Sequence, residues 1–109
     1  MIDRLRLGHD FRRLRQEGTR VRRGVIWCSM LPDSSIPTPR IAFAIGRSAG
    51  SAVMRNRVRR RLREAVRQSA LAPGLYLFGL TRDAVSEPTF AEVTEAVAHF
   101  SSRASEVAA

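Results

Sequence analysis

Ala52-Val53-Met54-Arg55-Asn56-Arg57-Val58-Arg59-Arg60-Arg61-Leu62-Arg63-Glu64-Ala65-Val66-Arg67 reads as one helix laid on an apolar layer. At roughly 100° per residue, Met54, Val58, Leu62, Ala65 and Val66 fall on an arc of roughly 120°, the stripe a helix turns toward a sheet. Asn56, Arg59, Arg60, Arg63 and Arg67 cluster on the outward side. Arg57 and Arg61 line one flank, and Arg55 sits near the apolar boundary. Glu64 is spaced to pair with Arg60 at i,i+4, but one acid cannot neutralise so many cations. Like charges at i,i+4 (Arg55/Arg59, Arg57/Arg61, Arg59/Arg63, Arg63/Arg67) each cost a few tenths of a kcal/mol on an isolated helix, roughly. A merely solvated helix intersperses acids to avoid that repulsion. The pattern therefore points to a polyanion, and phosphate fits best. A membrane surface fits less well, because the apolar arc lacks aromatics and is needed for the core.

Outward from this helix, the chain alternates helical and extended patterns. Leu7, Phe11 and Leu14 recur at helical spacing ahead of Gly18, which predicts a first helix over about 8–17 with Arg12, Arg13 and Arg15 on its rim. Val25–Leu31 is a β-rich run ended by Pro32-Asp33-Ser34-Ser35. With Arg40–Gly46 it predicts an antiparallel hairpin closed by a disposable loop. Gly46-Arg47-Ser48-Ala49-Gly50-Ser51 breaks that strand before the helix, which should run to about Ser69. Pro73-Gly74 precedes a further strand, Leu75–Leu80. Thr89-Phe90-Ala91-Glu92 has the form of a capping box, so a last helix should start just after Thr89, with Val93, Ala96, Val97 and Phe100 as its apolar stripe. The tail beyond Arg103 should fray. The expected fold is an α/β (α+β) two-layer sandwich, in which about four strands form a mixed sheet with three helices.

The chain has 109 residues, 44% of them hydrophobic, enough for one domain with a real core. A net charge of +9 asks for a polyanionic partner. Every one of its 19 basic residues is arginine. Arginine grips phosphate bidentately and stacks on bases, but coding bias produces the same composition, so where the arginines lie matters more than what they are. Cys28 is alone, which rules out an intrachain disulfide, and no Cys/His set has zinc spacing. Met1–Leu7 lacks a signal-peptide core, and no apolar run is long enough to cross a bilayer. The expectation is a cytoplasmic protein.

The helix also resembles something specific. Residues 52–64 are similar to the arginine-asparagine-arginine signature of the bacterial ribonuclease P protein subunit. The similarity extends to Asp10-Phe11 before Gly18, to the strand and basic turn Arg40–Arg47, to Thr81-Arg82 and to the helix start at Thr89. Nearly the whole chain is covered. The resemblance implies pairing with a large catalytic RNA that removes the 5′ leader from precursor tRNA by Mg2+-dependent hydrolysis, the ion being bound mainly by the RNA. It also implies a left-handed β-α-β crossover, where handedness statistics favour a right-handed one. On this resemblance Arg55, Asn56, Arg57, Arg59, Arg60 and Arg63 match the RNA-facing signature and Arg47 matches the basic turn; Arg67 joins them on the outward face. A leader cleft between the first helix and the sheet would use Phe11, with Arg12, Arg15 and Trp27. Three positions depart from the family pattern. Arg15 replaces a second aromatic, Ser29 stands where an aromatic is expected with Trp27 two positions earlier, and Asp83 follows Arg82 where a basic residue is common.

Trp27 and Cys28 must face opposite sides of their strand. Phe11 reads more readily as core than as a stacking platform, whereas Trp27 fits the cleft and the core equally well. His9 and His99 could suggest acid–base nuclease chemistry, but neither has a paired carboxylate cluster. Asp3, Asp10 and Glu17 read as surface and helix-dipole charges. Three classes stay open on the residues themselves: an RNA-binding subunit of a ribozyme, a general nucleic-acid module, and a self-sufficient nuclease.

Overall fold

The computed structural model describes residues 2–82 and 86–108, so Asp83 lies outside the described residues. Its elements in chain order are β1 (Asp3–Arg4), α1 (His9–Glu17), β2 (Thr19–Arg23), β3 (Ile26–Pro32), β4 (Arg40–Ala44), a short 3-10 turn (Arg47–Ala49), α2 (Ala52–Gln68), β5 (Gly74–Leu80) and α3 (Phe90–Ala108). The five strands form one mixed sheet in the order β1-β4-β5-β3-β2. Three helices and a mixed sheet agree with the expected sandwich.

The sheet order corrects the expected hairpin. β5 lies between β3 and β4, antiparallel to the first (Cys28 opposite Phe78) and parallel to the second (Phe43 opposite Phe78). The reason lies in residues 33–39. Ile36 is buried against Leu5, Leu14 and Leu75, and Asp33 accepts from Arg13 at 3.0 Å. The connection is thus an anchored crossing over the end of the sheet, not a disposable loop, and it leaves room for the most apolar strand. β5 reads Gly-Leu-Tyr-Leu-Phe-Gly-Leu and has five of its seven residues buried, as a central strand with both faces covered should.

One sheet face carries the main core. Ile26, Cys28, Met30, Ile41, Tyr76 and Phe78 pack against Val58, Leu62, Ala65 and Val66 of α2 and Val93, Ala96, Val97 and Phe100 of α3. The α2 arc is therefore the predicted one. Ser51 caps α2 by accepting from the Met54 N–H at 3.2 Å. Thr89 and Glu92 make the predicted capping box, each side chain accepting the other's backbone N–H, at 3.1 and 2.9 Å. The tail departs from expectation: α3 continues to Ala108 because Ala104 is fully buried and extends the apolar stripe by one more turn.

α1 packs on the opposite face, where Leu5, Leu14, Ile36 and Leu75 form a second cluster with Phe11, Leu31, Ala42 and Leu77 at its margin. Asp10 of α1 corrects another expectation, since it is a buried charge and not a surface one. Its Oδ2 accepts the Arg6 N–H at 2.7 Å and lies 3.4 Å from the Arg40 guanidinium, and His9 Nδ1 is 3.4 Å from Oδ1. Burial alone would raise the Asp10 pKa, but the Arg6 N–H, His9 and the Arg40 charge outweigh it and hold the carboxyl below its usual range. A carboxyl depressed on folding contributes stability that is full above the unfolded pKa of about 3.9 and lost as pH falls through the lower folded value. Asp10→Asn should cost about 1–2 kcal/mol at neutral pH. The gap between the two melting temperatures should close only below about pH 4; a gap that closes near pH 6 would discount Asp10 as its source.

Candidate nucleic-acid interface

α2 presents its arginines in two distinct states. Arg57 and Arg61, on the flank, are engaged by one carboxylate. Arg57 donates from Nε and Nη2 to Glu87 Oε2 and Oε1, both at 2.7 Å, and Arg61 Nη1 donates to Oε2 at 2.6 Å and to the Pro88 carbonyl at 2.7 Å. The fork from Arg57 and the nearby Arg61 charge more than offset the desolvation of Glu87 and hold its carboxyl below the usual range. Arg59 is likewise tied back: Nη2 donates to the Ile45 carbonyl at 2.8 Å and Nη1 to Asn56 Oδ1 at 3.1 Å. This fixes Asn56 and fastens the helix to the end of β4. Arg55 donates to the Gly50 carbonyl at 3.3 Å and so braces the turn before α2.

The outer face is freer. Arg60 is exposed and has no side-chain partner among the described residues. Arg63 meets only the Phe43 ring, with its guanidinium 5.7 Å from the centroid. Glu64 pairs with Arg67 at 3.0 Å and with Gln68 at 3.1 Å, not with Arg60, which leaves Arg60 open to an external anion. Arg47, on the 3-10 turn ahead of α2, is also exposed and without a partner among the described residues. Of the eight positions assigned to RNA, the structure thus leaves the side chains of Arg47, Arg60 and Arg63 free of any hydrogen bond or ion pair among the described residues and gives those of Arg55, Asn56, Arg57, Arg59 and Arg67 contacts within the protein.

The second candidate surface is the sheet face that α1 only partly covers. Register puts Arg20 and Arg22 of β2, Trp27 and Ser29 of β3, Leu77 and Gly79 of β5, and Ala42 and Ala44 of β4 on it. Trp27 does lie opposite Cys28, on this face and half-buried. Its indole N–H donates to the Leu80 carbonyl at 3.1 Å, and the Arg20 guanidinium sits 4.1 Å from the ring centroid. Gly79 is the floor beneath the ring, because a Cβ there would overlap Trp27 atoms Cζ2 and Cε2. Gly79→Ala should push the indole off the strand at a cost of about 1–3 kcal/mol. The shift would be read in the emission of the only tryptophan, and an unchanged spectrum would mean that the ring does not rest on Gly79.

Phe11 is half-buried and borders both this face and an open groove of about 990 Å3 that also touches Phe43, Arg63 and Arg67. Arg12 and Arg15 project from α1 as exposed cations. A smaller depression of about 460 Å3 at the other end of the face is lined by Ala44, Ser48 and Arg82 among others. The predicted cleft residues therefore share one side of the sheet with an uncovered strip between α1 and Arg47. Sequence reading did not find Arg20, because its strand, Thr-Arg-Val-Arg-Arg, offers one apolar residue and no readable alternation.

Comparison with known proteins decides the family. The family model described as Ribonuclease P matches residues 2–105. The chain belongs to the ribonuclease P protein family. It is 42% identical over 64 residues to a ribonuclease P protein component from Acidothermus cellulolyticus, a match covering 58% of this chain and 53% of that protein. With the component from Roseiflexus castenholzii it is 33% identical over 104 residues, covering 93% of this chain and 84% of that one. The chain spans about half to three-fifths of the length of the first curated relatives it matches, 53% and 61%. Its fold is that of the ribonuclease P protein from Thermotoga maritima, with a TM-score of 0.76 at 24% identity, covering 93% of this chain and 96% of that one. No helix among the described residues is long and apolar enough to cross a membrane.

Proposed function

We propose that the chain is the protein subunit of a ribonucleoprotein endoribonuclease that removes the 5′ leader of precursor tRNA. The observation that carries this reading is the outer face of α2. Arg60 and Arg63 project there as exposed cations, on a helix whose opposite arc is fully committed to the core. Such a face suits the closely spaced phosphates of a folded RNA, the large catalytic RNA of the holoenzyme. The uncovered strip of the sheet, with Phe11 and Trp27 as flat surfaces and Arg12, Arg15 and Arg47 around them, suits a single strand of variable sequence. Aromatic rings stack on any base while arginines follow the backbone.

The protein's own groups bind and orient. Among the described residues no group of three or more His, Cys, Asp or Glu could hold a metal ion. Asp10, Glu64 and Glu87 are each engaged by an arginine of the protein. The described residues thus offer no Mg2+ site, and we assign the ion to the RNA partner. His9 does gain a carboxylate neighbour that its sequence context did not suggest, Asp10, but that carboxylate is committed to Arg40 and the Arg6 N–H. His99 meets the edge of Phe100.

The purified protein should leave a leader-bearing tRNA intact. Adding a bacterial ribonuclease P RNA in Mg2+ buffer should restore cleavage at the mature 5′ end, at lower Mg2+ than the RNA needs alone. Cleavage by the protein without RNA, surviving nuclease controls, would replace this reading with a self-sufficient nuclease. Binding that does not stimulate cleavage would reduce the protein to a general RNA-binding module.

A further inference from the structure

Glu87 makes three hydrogen bonds to two arginines of α2 at 2.6–2.7 Å, and its geometry is that of a bound phosphate. A carboxylate in a bidentate arginine fork presents two oxygens and one negative charge, as a phosphodiester does. We infer that Arg57 and Arg61 form one phosphodiester-binding site, which Glu87 fills in the free protein and yields to an RNA backbone phosphate on binding. The inference rests on the reading that α2 faces RNA.

Two observations favour exchange over a permanent staple. The 86–89 link does not depend on Glu87. Pro88 is buried with its carbonyl accepting from Arg61, and Thr89 is held by the capping box with Glu92. Removing the carboxylate therefore leaves the link fastened at the next two residues. The site is also within reach, since the Arg57 side chain is 42% exposed. The pair is only partly exposed, with Glu87 at 20% and Arg61 at 26%, so water and salt compete for it from the Arg57 side. A phosphate in an RNA helix brings an added gain that a carboxylate lacks, the release of a condensed counterion. Exchange leaves the local charge unchanged and returns the Glu87 carboxylate to water. At low salt the phosphate wins, and the advantage shrinks as salt rises.

The test is Glu87→Gln, which keeps the side chain's size and empties the site of charge. Binding of a bacterial ribonuclease P RNA is measured across a salt series, with Glu106→Gln as a control that removes an acid paired with Arg103 on α3. Glu87→Gln should bind about two- to five-fold more tightly than wild type at low salt, a change of about 0.4–1 kcal/mol. Its plot of log affinity against log salt should keep the wild-type slope, because both proteins hold the same phosphate once bound. A slope steeper by about 0.9 would mean that Glu87 keeps the phosphate out of wild type, and would overturn the exchange. Adding Arg57→Ala to Glu87→Gln should abolish the gain. Equal gains in both glutamine variants, or no gain from Glu87→Gln, would overturn the exchange. If Glu87→Gln lowers the melting temperature, the wild-type Glu87 carboxyl carbon is followed by NMR as RNA is added: movement to the position of a solvated carboxylate supports the inference, and an unmoved signal overturns it. The RNA-facing reading fails separately, if Arg60→Ala with Arg63→Ala leaves binding intact.

Discussion

Replacing Arg60 and Arg63 together by alanine is expected to weaken binding of the catalytic RNA by more than a hundred-fold while the melting temperature stays within a degree or two of wild type, about the change that a few tenths of a kcal/mol produces. Each charge-assisted hydrogen bond to a phosphate is worth about 1.5–3 kcal/mol, and on the proposed reading the pair would make at least two. The slope of log affinity against log salt should flatten by about 0.7–0.9 for each phosphate no longer held. Stability should not suffer, because Arg60 has no partner among the described residues and Arg63 touches only the Phe43 ring. The choice of residues matters. Arg59 lies on the same outward arc, but it holds the Ile45 carbonyl and Asn56, so its truncation would loosen the helix as well as remove a charge. Unchanged affinity and slope in the Arg60/Arg63 variant would remove α2 from the RNA interface.

That distinction was not legible in the sequence. A helical wheel places Arg59 and Arg60 side by side as outward cations, and for the core it works well: Val58, Leu62, Ala65 and Val66 are all buried as read. The wheel knows nothing of the carbonyl at the end of β4, or of a glutamate 30 residues along the chain from Arg57. Long-range pairing decided which arginines are braced and which are free. Pairing also decided the sheet. The strands at 26–32, 40–44 and 74–80 were visible in their own composition, but their order was not. A β5 inserted between β3 and β4 follows from the anchoring of Ile36 and Asp33, and no local pattern announces that. Asp10 shows the same limit: a carboxylate at a helix start reads as a dipole charge until Arg40 arrives from another strand. The signature of residues 52–64 was different in kind. Its many fixed positions identified the family directly, and the fold that follows from that family agrees with the observed helices and mixed sheet.

The arginines that bond within the protein also form a scaffold. Arg13 with Asp33, Arg23 with Glu95, Arg40 with Asp10 and Arg57 with Glu87 each join elements distant in sequence. Acids are few, 10 against 19 arginines, and several are used in this way. The exposed cations with no side-chain hydrogen bond or ion pair among the described residues include Arg60 and Arg63 on α2, Arg12 and Arg15 on α1, Arg47 at the turn, and Arg4, Arg6 and Arg82 elsewhere. α1 and its cations lie on the sheet face opposite α2, so the positive charge flanks the sheet on both sides.

Phe11→Ala is expected to lower affinity for leader-bearing precursor tRNA by about five- to a hundred-fold in the holoenzyme and to leave affinity for mature tRNA nearly unchanged. The range is that of removing one aromatic platform from beneath a base, roughly 1–3 kcal/mol. Mature tRNA lacks the leader, so a residue that touches only the leader cannot affect it. The structure gives Phe11 two roles that this comparison separates. Its ring is half-buried at the margin of the cluster of Leu5, Leu14, Ile36 and Leu75, and it also borders the open groove. Truncating a fully buried phenylalanine costs about 3–5 kcal/mol, so a half-buried one should cost about 2 kcal/mol or less, and the variant should still fold. Measuring the melting temperature alongside both affinities settles which role dominates. Losses confined to the precursor place the leader over α1, whereas equal losses for the two RNAs make Phe11 a packing residue and move the leader toward Trp27.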